Sequence, residues 1–262
     1  MLPVKATIKD LRCRLREYGF RRRLPSQRIT CSAAIVIAPH PDDETLGCGG
    51  VIALKKAAGV PVEVVFLTAG GASHASCCQV DPDAVRSARR NQACRAVAHL
   101  GLGQDAIFWM GLEDGHIPHP GDDGFDEAVA ELAARFERSA PTEVYCPHPH
   151  EYLPDHEAAS AITQAAVAKS GLGVRLVFYT VWAWYNAPSP FGRAFDWRKG
   201  WRVDVRAVFE QKAAAMREYF DDERAPCGVP YCGRLPKSLI YCAARPNEAF
   251  FDYSDSTSSH RE

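Results

Sequence analysis

The sequence lacks the features that mark several specialised classes of protein. No segment approaches the roughly 18 to 20 uninterrupted apolar residues that are needed to cross a bilayer. The N-terminal segment is charged before it is apolar, and it has neither the apolar core nor the cleavage site of a secretory signal. A formal net charge of -1 provides no general attraction to nucleic acid. We therefore expect a cytoplasmic protein that has no nucleic-acid partner.

Metal-binding cysteine pairs, internal repeats and flexible linkers are absent as well. The ten cysteines include no C-x-x-C pair, so we expect reduced thiols in packed positions. Cys227 and Cys232 form the one pair that we consider able to bridge, and then only in an oxidising compartment. A length of 262 residues suits one large α/β domain. We predict a basic extension over residues 1–32, a single domain over 33–250 and a polar tail over 251–262.

Positive charge is concentrated near the N-terminus. Seven Lys and Arg residues lie between Lys9 and Arg23, where they alternate with apolar residues such as Leu11 and Leu15. One interpretation is a solvated, partly helical extension. The other is a basic amphipathic arm that rests on anionic lipid or lipopolysaccharide head groups. The sequence does not decide between them.

Beyond this segment, apolar strands alternate with amphipathic helices. The predicted strands cover residues 33–38, 62–68, 106–111, 143–147 and 175–182. The predicted helices cover residues 45–59, 83–100, 126–139, a stretch that begins near 155, and 205–219. This alternation is typical of an α/β fold with a mostly parallel sheet and helices on both faces. We predict a single Rossmann-like domain of three layers.

Three polar clusters follow predicted strands. Residues 39–44 follow the first strand, 111–115 the third and 147–157 the fourth. Functional residues of open α/β sheets collect at the carboxyl ends of the strands, so we expect these clusters to meet there. Histidine and aspartate side chains gathered at one place need a compensating charge, which a divalent cation provides. This mixture of ligands favours zinc with an open coordination position.

The spacing within the clusters predicts a role for individual side chains. His40 and Asp43 are three positions apart at a helix start, so they can share one ion. His156, in the first turn of a later helix, can be the third ligand. Asp42 is then free to act as a general base toward a water that the metal activates. We predict that Glu44 lies at the helix N-terminus, where its charge suits the helix dipole.

The string AIVIAPHPDDETLGCGG resembles the signature of the LmbE-like, or PIG-L-like, zinc deacetylases. The resemblance extends over residues 33–220 and implies a deacetylase that acts on an N-acetylglucosaminyl conjugate. It assigns zinc to His40, Asp43 and His156, and it makes Asp42 the general base. The sugar is then linked to a lipid, a nucleotide or a polysaccharide such as lipopolysaccharide.

The same resemblance implies two residues that bind substrate and exposes two departures, Leu153 and Gln92, the latter where the family commonly has a glutamate. Arg89 matches the family's substrate-binding arginine, and Asp114 matches an acidic residue that contacts sugar hydroxyls. Leu153 stands where the family usually has a histidine, three positions before His156. Either His148 or His150 then reaches the site, or Asp42 serves as both base and acid.

Leu153 also leaves a second function open. A catalytically impaired protein on the same scaffold would bind a sugar or a metal without hydrolysis. A phosphoesterase is less well supported, because the ligands of a two-metal site are missing. The aromatic residues between Trp182 and Trp197 would either stack on sugar rings or pack within the protein.

Overall fold

The computed structural model describes residues 4–74, 80–188, 199–220 and 235–253. Its strands are β1 (Ser26–Gln27), β2 (Ala34–Ala38), β3 (Val62–Thr68), β4 (Ile107–Leu112), β5 (Glu143–Pro147), β6 (Arg175–Tyr179), β7 (Gly200–Asp204) and β8 (Asn247–Asp252). Its helices are α1 (Val4–Arg21), α2 (Asp43–Ala57), α3 (Pro82–His99), α4 (Phe125–Ser139), α5 (Pro154–Ser170), α6 (Ala183–Asn186), α7 (Phe209–Phe220) and α8 (Lys237–Ala243). None of the described helices is both long enough and apolar enough to cross a membrane.

The described strands form one sheet in the order β1-β7-β8-β6-β5-β2-β3-β4. All neighbours are parallel except at β8, which pairs antiparallel with both β6 and β7. Every residue of β2 and β5 is buried, because helices pack against both faces of the sheet. The predicted α/β fold with a mostly parallel sheet is confirmed. The predicted domain limits at residues 33 and 250 stay predictions.

Several predicted elements have different limits in the structure. Strands 62–68 and 143–147 coincide with β3 and β5, whereas the strand predicted to reach residue 182 ends at Tyr179. The chain leaves the sheet there because the amides of Val181 and Trp182 donate to the carboxylate of Glu151, at 2.9 and 2.6 Å. The helix predicted from Val205 begins at Phe209, after a short 3-10 turn.

Glycines allow α2 to approach the strands closely. A Cβ atom added at Gly47 would lie 2.3 Å from the ring of Tyr179, and one added at Gly50 would lie 2.4 Å from Cγ1 of Val205. Tyr179 and Val205 are both fully buried, so neither has room to move aside. The glycines that follow the polar cluster in the sequence therefore serve the packing of α2.

This packing predicts a measurable cost for one added methyl group. We expect Gly50→Ala to lower the free energy of unfolding by about 1 to 3 kcal/mol, because overpacking a tight core costs this much. Gly19→Ala is the control, since no heavy atom within 4 Å would meet its Cβ. That substitution should stabilise α1 by about 0.5 to 1 kcal/mol. Urea denaturation measures both, and equal midpoints for the two variants would contradict the prediction.

The C-terminal strand makes a buried polar contact with the middle of α2. The carboxylate of Glu248 accepts hydrogen bonds from the amides of Gly50 and Val51, at 2.6 and 2.9 Å. Lys212 donates to the same carboxylate at 2.6 Å and to the carbonyl of Leu46 at 3.3 Å. Glu248 and Lys212 are both buried, so each charge is compensated by the other. The contact ties α2 to both β8 and α7.

The N-terminal helix lies on the body of the protein rather than extending from it. Cys13 and Glu17 of α1 are buried, and the sulfur of Cys13 is 3.4 Å from that of Cys242 in α8. Arg16 donates to the carbonyl of Trp184 in α6 at 3.2 Å. One face of α1 is therefore packed against α6 and α8, and the opposite face remains at the surface.

Candidate active site

The three polar clusters meet at one edge of the sheet, as their positions after β2, β4 and β5 predict. They border a pocket of about 470 Å³. Its lining consists of His40, Asp42, Asp43, Ala72, Ser73, Arg89, Asp114, Gly115, Leu153, Pro154, Asp155, Trp182 and Leu235. Parallel strands bring these clusters together because their carboxyl ends share one edge.

His40 is surrounded by three carboxylates. Its Nδ1 atom lies 3.3 Å from Oδ2 of Asp43, and its Nε2 atom lies 2.9 Å from Oδ2 of Asp155 and 3.1 Å from Oδ1 of Asp114. The backbone amide of His40 also donates to Asp43 at 3.0 Å. The predicted pairing of His40 with Asp43 across the start of α2 is present in the structure.

His156 lies in the first turn of α5 and is completely buried. Its Nε2 atom is 3.3 Å from Oδ2 of Asp43, and its Nδ1 atom is 3.3 Å from Oε2 of Glu151. Among the described residues, neither ring nitrogen of His156 has a hydrogen-bond partner of acceptable geometry. The same Asp43 oxygen therefore faces both His40 and His156.

This arrangement fits a divalent cation. One donor atom each from His40, Asp43 and His156 can be chosen so that all three lie within 4.8 Å of one another. Buried imidazole nitrogens without a hydrogen bond are rare. A metal ion bound to Nε2 of His156, the nitrogen that faces Asp43, would give that atom a partner. Glu151 would then orient the ring from the other nitrogen.

The electrostatics of the two histidines support the same conclusion. Burial lowers the pKa of His40, but its contacts with Asp114, Asp155 and Asp43 outweigh burial and hold that pKa well above the usual value. Burial also lowers the pKa of His156, but the nearby Asp43 carboxylate outweighs burial and raises this pKa to about 9. Both shifts reflect a local excess of negative charge. A cation can compensate this charge in place of two protons, which binding would release.

Asp42 has an unusual backbone and a distinct environment. Its φ angle is 127°, outside the regions that residues with a side chain normally adopt. Burial raises the pKa of Asp42 to about 7, although the nearby Arg89 guanidinium lowers it. The Arg89 Nη2 atom is 3.3 Å from the Asp42 carboxylate and also donates to the carbonyl of Pro41. Asp42 therefore lines the pocket beside Asp43 but makes contacts of its own.

The strained backbone of Asp42 predicts a difference between two small substitutions. We expect Asp42→Gly to be more stable than Asp42→Ala by about 1 to 3 kcal/mol, because only glycine adopts this conformation without strain. Both variants lose the carboxylate, so the comparison isolates the backbone. Urea denaturation after metal removal measures the difference. Equal stabilities would mean that the backbone at Asp42 relaxes to an ordinary conformation when the carboxylate is removed.

Glu44 lies in the first turn of α2, where the sequence predicted it. It is fully buried, and its carboxylate accepts hydrogen bonds from the amide of Asp42 at 3.0 Å and from the hydroxyl of Tyr219 at 2.8 Å. Burial raises the pKa of Glu44. Its contacts hold the loop that carries Asp42, and Glu44 does not line the pocket.

Both predicted substrate-binding residues lie at the pocket. Arg89 extends from α3 toward Asp42, as described above. Asp114 accepts a hydrogen bond from the amide of Ala72 at 2.7 Å, while its other oxygen faces His40. The structure thus brings Arg89 and Asp114 to the metal cluster. Their contact with a substrate stays a prediction.

Sequence reasoning missed two carboxylates of the site. Asp155 contacts His40 and accepts the amides of Gly115 and Ile117, at 2.8 and 3.4 Å. Glu151 accepts several amides that follow β6, in addition to its contact with His156. The position of Asp155 beside His156 was a usable signal. Nothing near Glu151 in the sequence indicates that it turns inward.

Neither of the two histidines considered as a replacement, His148 and His150, is among the described residues that line the pocket. His148 is buried, and its ring packs against Phe178 and Phe251, with centroids 5.5 and 5.2 Å away. Burial lowers the pKa of His148 to about 3. The pocket lining includes Leu153 but neither His148 nor His150. His148 faces the aromatic side chains of β6 and β8, and a role for His148 or His150 in proton transfer stays a prediction.

Of the aromatic residues that would either stack on sugar rings or pack within the protein, one lines the pocket among the described residues. Trp182 lines it, whereas Trp184 is buried against α1 and α8. Phe191 and Trp197 lie outside the described residues, as do Cys227 and Cys232.

Comparison with known families identifies the chain. The profile of the family "PIG-L: GlcNAc-PI de-N-acetylase" matches residues 35–167, which include β2 through most of α5 and all the pocket residues named above before Trp182. The chain belongs to the PIG-L family. The resemblance found in the sequence is thereby confirmed.

Two curated relatives carry the same name, 1D-myo-inositol 2-acetamido-2-deoxy-alpha-D-glucopyranoside deacetylase. The protein from Saccharomonospora viridis is 30% identical over 221 residues, which cover 77% of this chain and 73% of the relative. The protein from Mycobacteroides abscessus is 31% identical over 172 residues, which cover 58% of this chain and 61% of the relative. The match thus spans less than two thirds of the latter protein. Both relatives belong to the enzyme class predicted from the sequence, the amidohydrolases of the deacetylase type.

Solved structures share the fold at lower identity. N,N'-diacetylchitobiose deacetylase from Pyrococcus horikoshii is 20% identical with a TM-score of 0.56, covering 83% of this chain and 79% of that one. 4-Carboxy-2-hydroxymuconate hydratase from Pseudomonas putida is 23% identical with a TM-score of 0.59, covering 73% and 80%. Because this PIG-L fold is found in two reaction classes, the fold alone does not decide the chemistry.

Proposed function

We propose that this chain is a zinc-dependent deacetylase that hydrolyses the acetamide group of an N-acetylated amino sugar. The observation that carries the proposal is the position of Asp43 between His40 and His156, with the buried nitrogens of His156 lacking a hydrogen bond. Three protein ligands beside an open pocket are typical of catalytic zinc. The names of the two curated relatives support the reaction class.

In this proposal His40, Asp43 and His156 hold the zinc. When bound there, zinc polarises the amide carbonyl and lowers the pKa of a coordinated water to about 7. Asp155 holds the His40 ring through its Nε2 atom at 2.9 Å. Glu151 lies 3.3 Å from Nδ1 of His156, where it would orient that ring once the metal is bound.

Asp42 moves the proton in the proposed reaction. It accepts a proton as the oxygen of water bonds to the carbonyl carbon, and it returns that proton to the nitrogen as the C–N bond breaks. The products are acetate and the free amine. Leu153 occupies the position of the family's usual histidine, so Asp42 serves as both base and acid. Its burial and its raised pKa suit a group that must take up a proton and release it.

Arg89 and Asp114 bind the sugar in this proposal. The guanidinium of Arg89 and the carboxylate of Asp114 both border the pocket, where they offer a donor and an acceptor to hydroxyl groups. Trp182 adds an aromatic face that can stack on a ring. The aglycone of the proposed substrate is a lipid, a nucleotide or a polysaccharide.

A second candidate rests on Leu153. A protein on this scaffold that lacks the family's histidine would bind the sugar or the metal without hydrolysis. The two candidates differ in product formation. Binding of an N-acetyl sugar by the zinc-loaded protein with no amine release would favour the second.

The experiment that tests the proposal measures released amine. The purified chain is incubated with soluble, nucleotide-linked and lipid-linked N-acetylglucosamine conjugates, with and without added zinc, and new amines are detected with fluorescamine. We expect zinc-dependent release from at least one conjugate class. Protein treated with a chelator and then reloaded is the control. Absence of release from every class, by a protein that retains zinc, would overturn the proposal.

A further inference from the structure

The surface face of α1 carries an apolar stripe. Ile8, Leu11, Leu15 and Tyr18 are 47%, 57%, 60% and 55% exposed. At about 100° per residue, these four positions fall within an arc of about 80° on the helix surface. A cluster of large apolar side chains on a protein surface usually marks a site that contacts another protein, a ligand or a membrane.

The orientation of the stripe is fixed by the packed face of α1. Cys13 and Glu17 are buried against the body of the protein, and they lie roughly opposite the stripe on the helix. Lys9 donates to Asn186 at 3.1 Å, and its ammonium group lies 4.1 Å from the centre of the Tyr185 ring. The helix is thus held along its length with the apolar stripe pointing outward.

Positive charges border this stripe on both sides. Arg12 and Arg14 are exposed, and each lies about 40° beyond one edge of the stripe. From Lys9 to its end at Arg21, α1 carries five Lys and Arg residues and only two acidic ones, Asp10 and Glu17. In a chain whose net charge is -1, α1 is therefore a locally positive element.

A groove next to the stripe adds to this positive surface. It has a volume of about 390 Å³ and runs between α1 and the end of α6. Lys9, Arg12 and Arg16 line it on the α1 side, and residues 185–188 line it on the other. Cations at the edge of an apolar surface match the phosphate groups of anionic lipids.

We propose that α1 docks on the surface of a membrane that contains anionic lipids. The stripe from Ile8 to Tyr18 inserts at the boundary between head groups and acyl chains, while Arg12 and Arg14 contact lipid phosphates. A second copy of the chain fits this surface less well than an anionic membrane does. A twofold contact through the stripe would place these arginines of both copies near one another, where like charges repel.

A contact between α1 and α6 links the docking surface to the candidate active site. Trp182 lines the pocket, and Arg16 of α1 holds the carbonyl of Trp184 two residues later. The helix that carries the docking surface therefore contacts, on its packed side, the segment that forms one wall of the pocket. Docking does not depend on the proposed deacetylation, since binding to vesicles is measured without a substrate.

Vesicle co-sedimentation tests this proposal. The full chain is mixed with vesicles of phosphatidylcholine alone or of phosphatidylcholine with phosphatidylglycerol. We expect binding to the anionic vesicles that weakens as salt is added, and much weaker binding to the neutral ones. Arg12→Glu with Arg14→Glu, and separately Leu11→Ser with Leu15→Ser, should each reduce the apparent affinity by about tenfold or more.

A matched control reverses two charges elsewhere. Arg138→Glu with Lys169→Glu makes the same change in net charge on exposed positions of α4 and α5, and it should leave vesicle binding within about twofold. Circular dichroism establishes that each variant is folded. No binding to anionic vesicles, or equal loss in the control, would overturn the proposal. A wild-type dimer that Leu11→Ser with Leu15→Ser converts to a monomer would instead assign the stripe to a second copy.

Discussion

Asp42→Asn is expected to slow amide hydrolysis by about a hundredfold to ten-thousandfold, with the metal still bound. The asparagine keeps the size of the side chain but cannot accept the proton of the attacking water. In the proposed mechanism Asp42 also protonates the departing amine, since Leu153 lines the pocket where the family usually has a histidine, so the same change removes both the base and the acid. We therefore expect the upper part of this range. Amine release under saturating substrate measures the effect.

The metal content of this variant distinguishes a lost base from a lost ion. Zinc measured by mass spectrometry after dialysis should remain at about the wild-type ratio, because Asp42 does not belong to the His40, Asp43 and His156 cluster. Activity within threefold of wild type, with the metal retained, would exclude Asp42 as the base. The proton would then have to move through another group at the pocket.

Asp43→Asn is expected to lose the metal that Asp42→Asn retains. This substitution at the neighbouring position removes the carboxylate that faces both His40 and His156, so the zinc affinity should fall by more than about a hundredfold. Activity should fall to the background rate at zinc concentrations that saturate the wild type. Competition with a chromophoric chelator measures the affinity.

The two substitutions form a matched pair because they place the same side chain at adjacent positions. Asp42→Asn should lose turnover and keep the metal, whereas Asp43→Asn should lose the metal first. Asp43→Asn with unchanged zinc affinity would mean that the ion binds elsewhere. The second group of donors, His40 with Asp114 and Asp155, would then be the site to test.

The sequence predicted the core of the site because its parts are local. The apolar run of β2 ends directly before His40, and the helix start places Asp43 one turn later, so this pairing follows from the pattern alone. His156 was predictable because a proline at the start of α5 marks the first turn that carries it. Parallel strands then bring the two segments together at one edge.

The rest of the site depends on contacts that no local pattern contains. Glu151 turns inward because three amides after β6 lie within reach, and those amides belong to residues about 30 positions later in the chain. Strand β8 was missed for a related reason, since it enters the sheet antiparallel between β6 and β7 after the regular alternation has ended. Leu153 shows the limit of resemblance, because it departs from the family's pattern at the pocket and neither His148 nor His150 is among the described lining residues.

The contact between Glu248 and α2 has a consequence for how the protein is made. Glu248 is 198 residues from Gly50 in the chain, although its carboxylate accepts that amide. At a synthesis rate of about 5 to 20 residues per second, α2 leaves the ribosome on the order of ten to forty seconds before its partner. During this interval the amides of Gly50 and Val51 in α2 lack the buried carboxylate that accepts them in the folded protein. We therefore expect α2 to reach its native packing only after β8 has been synthesised, so the helix that begins at Asp43 depends on a strand about two hundred residues later in the chain.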